Sequence, residues 1–582
     1  MNRNWKKLMV AFVVSAALVY QPGFVSALEA QQIPAQAESY AIAKSLRVEV
    51  KSVLNEKTSS GVQLGAVIRL HNDSDTIVRV PDHELRLKTA GGLEYILQSS
   101  RSNPRSIEPK SKEELSYMKV VERKTAVQPT ELLLVDVDLN VYPRKEKVLA
   151  SIPVASMLWN GSYSEMNPSG VKNWGESFRI PTLDSQLLYT PVGYTKNHTP
   201  QGIEMLIKLL VENPSEQREM IPAFSMDAKT AQQIYHGNRV EKEAIALEPG
   251  KKRFIYYAIL TDMDFNGEIN SLNVLASEQF VAPGEQGAAG AVHFPVGKLA
   301  IRFPNQGAGE VESTPQEYRM NTPIAFDKWN NYIDPNLEVS VTDLYVGENS
   351  GDGYKTAIAK FKLTNKGERP IPIPAFGAEL SGKEGSRYSG SRQNYTLKEL
   401  MPGTGSAVSY VFVFPTSETA EIFSLRLLDD KSAAPYQTSI ASMVVKPSNK
   451  SDSSKLSFYP YTVHLKDWTL FPYVSQTPTN AMAYTYKLVL NLDVSKDAQM
   501  IADSSFSKMK VELEDGLGRT IGYQYYSFVG PNRLVSGRQK LTVDGLPGAD
   551  QMETNLTVKI YEVIETASGE VKRLVTALKS IG

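Results

Sequence analysis

Apolar and polar residues alternate in short bursts along most of the chain. Leu46, Val48 and Val50 alternate with Arg47, Glu49 and Lys51, and Val62, Leu64, Ala66, Ile68 and Leu70 share one face leading into Asn72. A period of two is the signature of a half-buried strand. The stretch IRLHNDSDTIVRVPDHELRL, residues 68–87, then returns with its spacing kept: Asn72 stands nine residues before Pro81, Asn213 nine before Pro222, and Asn365 nine before Pro374. An apolar-x-Pro turn follows each copy, with Pro109, Pro249 and Pro402 lying 37, 36 and 37 residues after their Asn. Three landmarks held in register mark a repeat. A Tyr-bearing strand is expected after each turn (115–121, 254–260, 408–414), then a further strand (132–137, 272–276, 423–428) and a closing one (148–154, 299–303, 440–445).

Seven or eight short strands per copy, punctuated by Asn, Gly and Pro, fit a sandwich better than a propeller, whose blades repeat every 40–50 residues or so. The predicted fold is all-β: four tandem immunoglobulin-like β-sandwich domains joined by linkers, after a signal peptide. The expected sandwiches are residues 45–156, 186–303, 336–446 and 458–582. The fourth is divergent: Asp493 takes the place of the Asn, Leu534 to Gly537 replace the Pro turn, and the alternation Tyr484 to Leu492 is out of phase with Asp493 by one residue. Residues 157–185 and 304–335 form aromatic linkers, and residues 447–457 form a Ser-rich linker expected to flex.

At 582 residues the chain is too long for one core, and a prior of about 150 residues per domain agrees with four. Arg3, Lys6 and Lys7 precede an apolar run of 13 residues, Leu8 to Tyr20, and Val25-Ser26-Ala27 suits cleavage, so residues 1–27 read as a signal peptide and 28–44 as a leader. Thirteen apolar residues fall short of the ~20 that span a bilayer, so no membrane span is expected after cleavage. With no cysteine, the domains must rely on packing without disulfides. Lys plus Arg (63) nearly cancels Asp plus Glu (64) and forms no basic stripe, which argues against a nucleic-acid partner.

The strand ending in Asn, the Pro-containing segment, Gly91-Gly92-Leu93-Glu94-Tyr95, the apolar-x-Pro turn and the aromatic strand resemble the secreted immunoglobulin-like domains of unknown function from Gram-positive bacteria, often found with lipoprotein anchors. Residues 46–154 and 337–445 carry the resemblance best. It implies an extracellular binding or structural role without known chemistry. The anchoring Cys of the lipoprotein versions is missing.

Candidate chemistry is sparse. No His falls in a zinc spacing, and no nucleophile has a base at credible distance in sequence, so an enzyme is not expected. Asp262-Met263-Asp264-Phe265-Asn266-Gly267 offers alternating oxygen ligands before a Gly, the first half of a calcium loop, with Asp262, Asp264 and Asn266 as candidate ligands. Position twelve is Asn273 where a Glu is wanted, and the alternative is a solvated loop; no other cofactor is expected. In the linkers, Trp159, Tyr163, Trp174 and Trp329 are candidate sugar-stacking platforms, the alternative being that they fill seams between sandwiches. The expected function is a secreted or cell-surface, non-enzymatic protein acting as spacer, adhesion or interaction module at a bacterial envelope. Its partner would be an envelope or extracellular protein or polysaccharide. The alternative is a carbohydrate-binding protein for cell-wall or environmental polysaccharide.

Overall fold

The computed structural model describes residues 38–579 except 124, 139–140, 266, 283–290, 305–314, 327–329, 331, 349–352, 383–384, 449–453, 477–481 and 544–554. The chain is all-β: among the described residues the helical pieces are two 3-10 turns, Ala155–Met157 and Pro168–Gly170. The signal-peptide segment, residues 1–27, lies outside the described residues.

Four large hydrophobic cores follow one another along the chain, and the residues around each are called a unit here. The first gathers Ile68, Leu87, Leu134 and Ile152; the second Leu209, Ile255, Val274 and Ile301; the third Phe361, Tyr410, Leu425 and Val445; the fourth Leu488, Val511 and Ile560. Each core draws on two groups of strands, because period-two alternation gives every strand one apolar face to bury. In the second unit one sheet runs Leu188–Thr199, Gly202–Glu212, Lys252–Leu260, Gly237–Arg239. The other runs Val171–Lys172, Ala291–Arg302, Ser271–Val281, Ser225–Lys229, Ile234–Tyr235. The third unit repeats the order with Leu337–Glu348, Tyr354–Asn365 and Gly405–Pro415 in one sheet and Gly377–Ser381, Phe423–Asp429 and Thr438–Val445 in the other. In the first, pairing of Glu94–Ser99 with Lys112–Val121 links both groups into one nine-stranded sheet.

The repeated Asn is a buried brace. Asn72, Asn213 and Asn365 are each at most 1% exposed. The amide nitrogen of Asn72 donates to Thr76 O at 2.7 Å and to Ile107 O at 3.1 Å, while its oxygen accepts from Ser74 N at 2.9 Å. Asn213 makes the same bonds to Gln217 O and Leu247 O, at 2.7 and 2.8 Å, and Asn365 to Arg369 O and Leu400 O, at 2.7 and 2.8 Å. One side chain thus holds the turn at its own strand end against the apolar-x-Pro turn about 35 residues on, satisfying carbonyls that would otherwise be buried unpaired. The residue after each turn Pro takes positive φ: Lys110 (53°), Gly250 (67°) and Gly403 (70°).

A second tether, absent from the sequence reading, joins the landmark Tyr to the residue two past the landmark Pro. Tyr257 Oη donates to Phe224 O at 3.2 Å, Tyr410 Oη donates to Phe376 O, and Tyr117 shares a 2.6 Å hydrogen bond with His83. The rings also pack, with centroids 5.0, 5.5 and 5.7 Å apart respectively.

The fourth unit lacks the brace. Tyr486, Leu488, Leu490 and Leu492 point inward, so Asp493, one residue out of phase, turns outward and meets Lys466 at 4.0 Å. Its last two strands, Thr557–Thr566 and Gly569–Lys579, pair as the expected hairpin. One expectation is corrected: within the supposed leader, Ser39–Ala43 is an edge strand on the first unit, pairing Tyr40 with Val48 and laying Tyr40 and Ile42 on the core. Five residues are too few for alternation to stand out in sequence.

Candidate functional site: three junctions between units

One sheet face recurs at every junction. Five residues ahead of Asn72, Asn213 and Asn365 stand Val67, Lys208 and Lys360, on the opposite strand parity from the core. Directly after the landmark tyrosines stand Met118, Ala258 and Val411. Val67 and Met118 lie in the contact between units one and two, Ala258 in that between two and three, and Val411 in that between three and four. The outer face of the Asn strand and the Tyr strand is therefore where each unit receives the next.

The first junction is largely apolar. Leu54, Val67, Met118 and Trp159 from the first side pack on Leu275, Phe280, Phe294 and Val296 of the second unit. Trp159 is placed by parallel pairing with Leu54 and is 3% exposed. Its ring lies so close over Gly297 that an added Cβ would sit 2.2 Å from it, which is why that position has no side chain. Beside the apolar patch, Glu278 accepts from Lys51 at 2.9 Å and from Ser52 Oγ at 2.6 Å, with Lys298 3.6 Å away. Burial, only partly offset by Glu278, pulls the Lys298 ammonium down to about 8.

The third junction is built on charge. Glu562, fully buried, accepts from Lys360 Nζ at 2.6 Å, Ser507 Oγ at 2.7 Å and the Arg573 guanidinium at 2.6 Å, and Asp343 stands 3.5 Å from that guanidinium. Burial alone would raise the Glu562 carboxyl, but the Arg573 and Lys360 cations outweigh it and hold it at about 2. Burial lowers the Lys360 ammonium, with Glu562 opposing. Ile358 and Val411 of the third unit meet Ile564 of the fourth, and the backbones join where Gly405 and Ser406 pair in parallel with Met500 and Ile501. The units on either side of residues 447–457 are thus fastened directly, against the expectation of free play across that linker.

The middle junction is open. Leu206, Tyr256 and Ala433 are its fully enclosed apolar contact. On one side lies a cleft of about 970 Å³ whose walls include His236, Arg239, Glu241, Arg253 and Tyr436. On the other is one of about 370 Å³ walled by Lys208, Phe254, Tyr256, Asn330, Tyr332 and Thr438, with Arg253 and Ser432 common to both clefts. Burial, then the Asp430 and Asp429 carboxylates, raise the Tyr332 hydroxyl above its ordinary value. Lys208 Nζ sits 3.7 Å from the centre of the Phe254 ring, a cation–π contact.

The residues named from sequence disperse. Trp159 fills the first seam with both faces covered, so the sugar-platform expectation is corrected for it. Trp174 packs edge-on against Tyr194 and Phe303, centroids 5.9 and 5.4 Å away, spending its ring on the second core. Tyr163 is 75% exposed, and Trp329 lies outside the described residues. In the acidic loop Asp262 accepts from Tyr235 Oη at 2.8 Å, Asp264 is exposed, and Asn266 lies outside the described residues. Among the described residues no three His, Cys, Asp or Glu converge on a metal position, and no helix is long and apolar enough to cross a membrane. The junction residues were missed because a lone Lys or Glu on a strand reads as solvated surface.

No family model matches the chain, and a comparison with curated proteins found no significant match. Among solved structures it shows weak likeness to a DUF4785 family protein from Legionella pneumophila, at 10% identity and TM-score 0.14 over 70% of this chain and 97% of that one. Latent PorU from Porphyromonas gingivalis gives 10% identity and TM-score 0.13, and the chain spans 34% of its length while 69% of this chain is covered. Exo-chitosanase CsxA from Amycolatopsis orientalis gives 8% identity and TM-score 0.11 over 88% and 92% of the two chains. Likeness at this level carries no functional argument.

Proposed function

We propose that the chain is a secreted, non-enzymatic spacer and interaction protein of a bacterial envelope, made of four immunoglobulin-like β-sandwich domains of the Gram-positive extracellular kind. What carries the reading is the pair of fastened outer junctions. Buried contacts of this sort make one rigid body of units one and two and another of units three and four. Two stiff halves meeting at an open middle junction give reach and one bending point, which suits a spacer presenting its surface to a polymer or a protein partner. The segment at residues 1–27 supports export.

Dye pairs placed across each junction test the reading by single-molecule energy transfer, alongside fractionation of cells expressing the chain. Narrow distance distributions are expected across the first and third junctions and a broader one across the middle, with the mature chain outside the cytoplasm. A broad distribution at all three junctions, or retention in the cytoplasm, sinks it.

A further inference from the structure

The smaller cleft of the middle junction has an unusual wall. Among the enclosed side-chain polar atoms lacking a hydrogen-bond partner are Asn330 Nδ2 and Thr438 Oγ1, and both residues line this one cleft of about 370 Å³. Thr438 is 6% exposed, and the Asn330 oxygen is already engaged with Tyr332 N at 2.8 Å. Leaving such groups unpaired costs about 1–3 kcal/mol each, so a fold that keeps two of them beside one opening has hydrogen-bonding capacity waiting there. Around them stand the rings of Phe254, Tyr256 and Tyr332, with Arg253 and Lys208 as cations and Asp429 as a carboxylate.

We propose that the cleft between the second and third units binds an oligosaccharide. A sugar ring has an apolar C–H face for Tyr256 and Tyr332 and hydroxyls that both donate and accept, which matches an amide N–H and a threonine hydroxyl turned into the cleft by side-chain rotation. The volume falls in the usual range for a small-ligand site, roughly 300–1,000 Å³. Arg253 and Ser432 line the second cleft too, so a chain of rings has a continuous path past them. A peptide is less suited: it would want an unpaired strand edge or deep apolar pockets. Because ligand would touch both units, its binding would also stiffen the middle junction. The inference goes beyond the spacer reading and does not depend on it.

The test is calorimetric titration of the full chain with three probes: glycan-strand fragments of peptidoglycan, cello-oligosaccharides and oligogalacturonate. At least one should bind, the neutral or acidic winner telling whether Arg253 and Lys208 read charge. Asn330→Ala with Thr438→Val should weaken that binding at least tenfold, Arg253→Gln should weaken the uronate probe more than the neutral cello-oligosaccharides, and Tyr163→Ala should change nothing. Arg253 is exposed, so Arg253→Gln reports on the site even if the double variant folds poorly. Binding of none of the three probes overturns the proposal, as does binding that survives the cleft variants or is lost with Tyr163→Ala. Flexible outer junctions with intact sugar binding would remove the spacer and leave this site standing.

Discussion

The first and third junctions meet the same requirement with opposite chemistry. Both cover the outer face of an Asn strand and its neighbouring Tyr strand. The first covers it with Trp159 on Gly297 and an apolar patch, keeping its ion cluster to one side; the third puts Lys360, Glu562 and Arg573 at the centre. An apolar seam gains from each Å² removed from water and tolerates loss of one member in proportion to the cavity left. An ionic seam gains little net energy over apolar packing yet fails sharply when one partner goes, because the survivor is left charged in a dry site. The apolar part of the first seam is therefore graded, while the third is close to all-or-none.

The largest expected effect is at the third seam. Glu562→Gln should destabilise the pair of units three and four by about 3–5 kcal/mol, since Lys360 is left buried without its carboxylate partner and Arg573 keeps only Asp343, 3.5 Å away. Urea unfolding of the full chain, followed by hydrogen exchange in residues 557–579, reads this; a loss under about 1 kcal/mol would mean that the cluster is wetter than its burial implies. Trp159→Ala should cost slightly less, on the order of 3 kcal/mol, and open the first seam alone. Gly297→Ala should be damaging by about 1–3 kcal/mol in the wild type and nearly silent beside Trp159→Ala, because the clash is with that ring. Additive losses would show that the two residues do not meet.

The seams should also separate by pH. Glu562 is held at about 2, below its unfolded value, so its stabilisation is present above about 4.5 and is lost as pH falls toward 2. Lys298 is held at about 8, below its unfolded value near 10.5, so the unfolded chain binds more protons between those points and the first seam should strengthen as pH rises from about 8 to 10.5. Exchange protection at each seam across pH 2–10 checks both signs. At the small end, Lys112→Ala removes a 2.6 Å ion pair with Asp184 at the rim of the first seam; both groups are well exposed, and the loss should stay within roughly 0.5 kcal/mol.

The fold was legible where its cause is local. Alternation located the long strands, and the Asn–Pro–Pro spacing located the turns, which are set by neighbours in sequence; the amide's bond to a carbonyl about 35 residues on was not legible in it. At Asp493 the alternation is out of phase by one residue, and in the structure that side chain turns outward. The junctions were not legible, since Lys360 and Glu562 lie far apart in the chain and nothing near either one says that it is dry. One hint was present: residues 64–68 are apolar on both parities, Val67 as well as Ile68, which is the mark of a strand covered on both faces. Trp159 lay in a stretch without period, where burial has no local signature. The middle cleft arises only when units two and three meet, so Asn330 and Thr438 carried no signal of their own.

The ionic seam has a consequence for a chain still being made. Synthesis runs from the first residue onward, so the third unit is complete while the fourth is still emerging. During that interval Lys360 stands in water as an ordinary ammonium beside Ile358 and Val411, and a charge on a bare sheet face discourages another chain from sticking there. Val67 and Met118 of the first unit have no charge between them, only Lys51 and Arg69 nearby. Half-made chains that stop after residue 156 should therefore aggregate more readily than those that stop after residue 446.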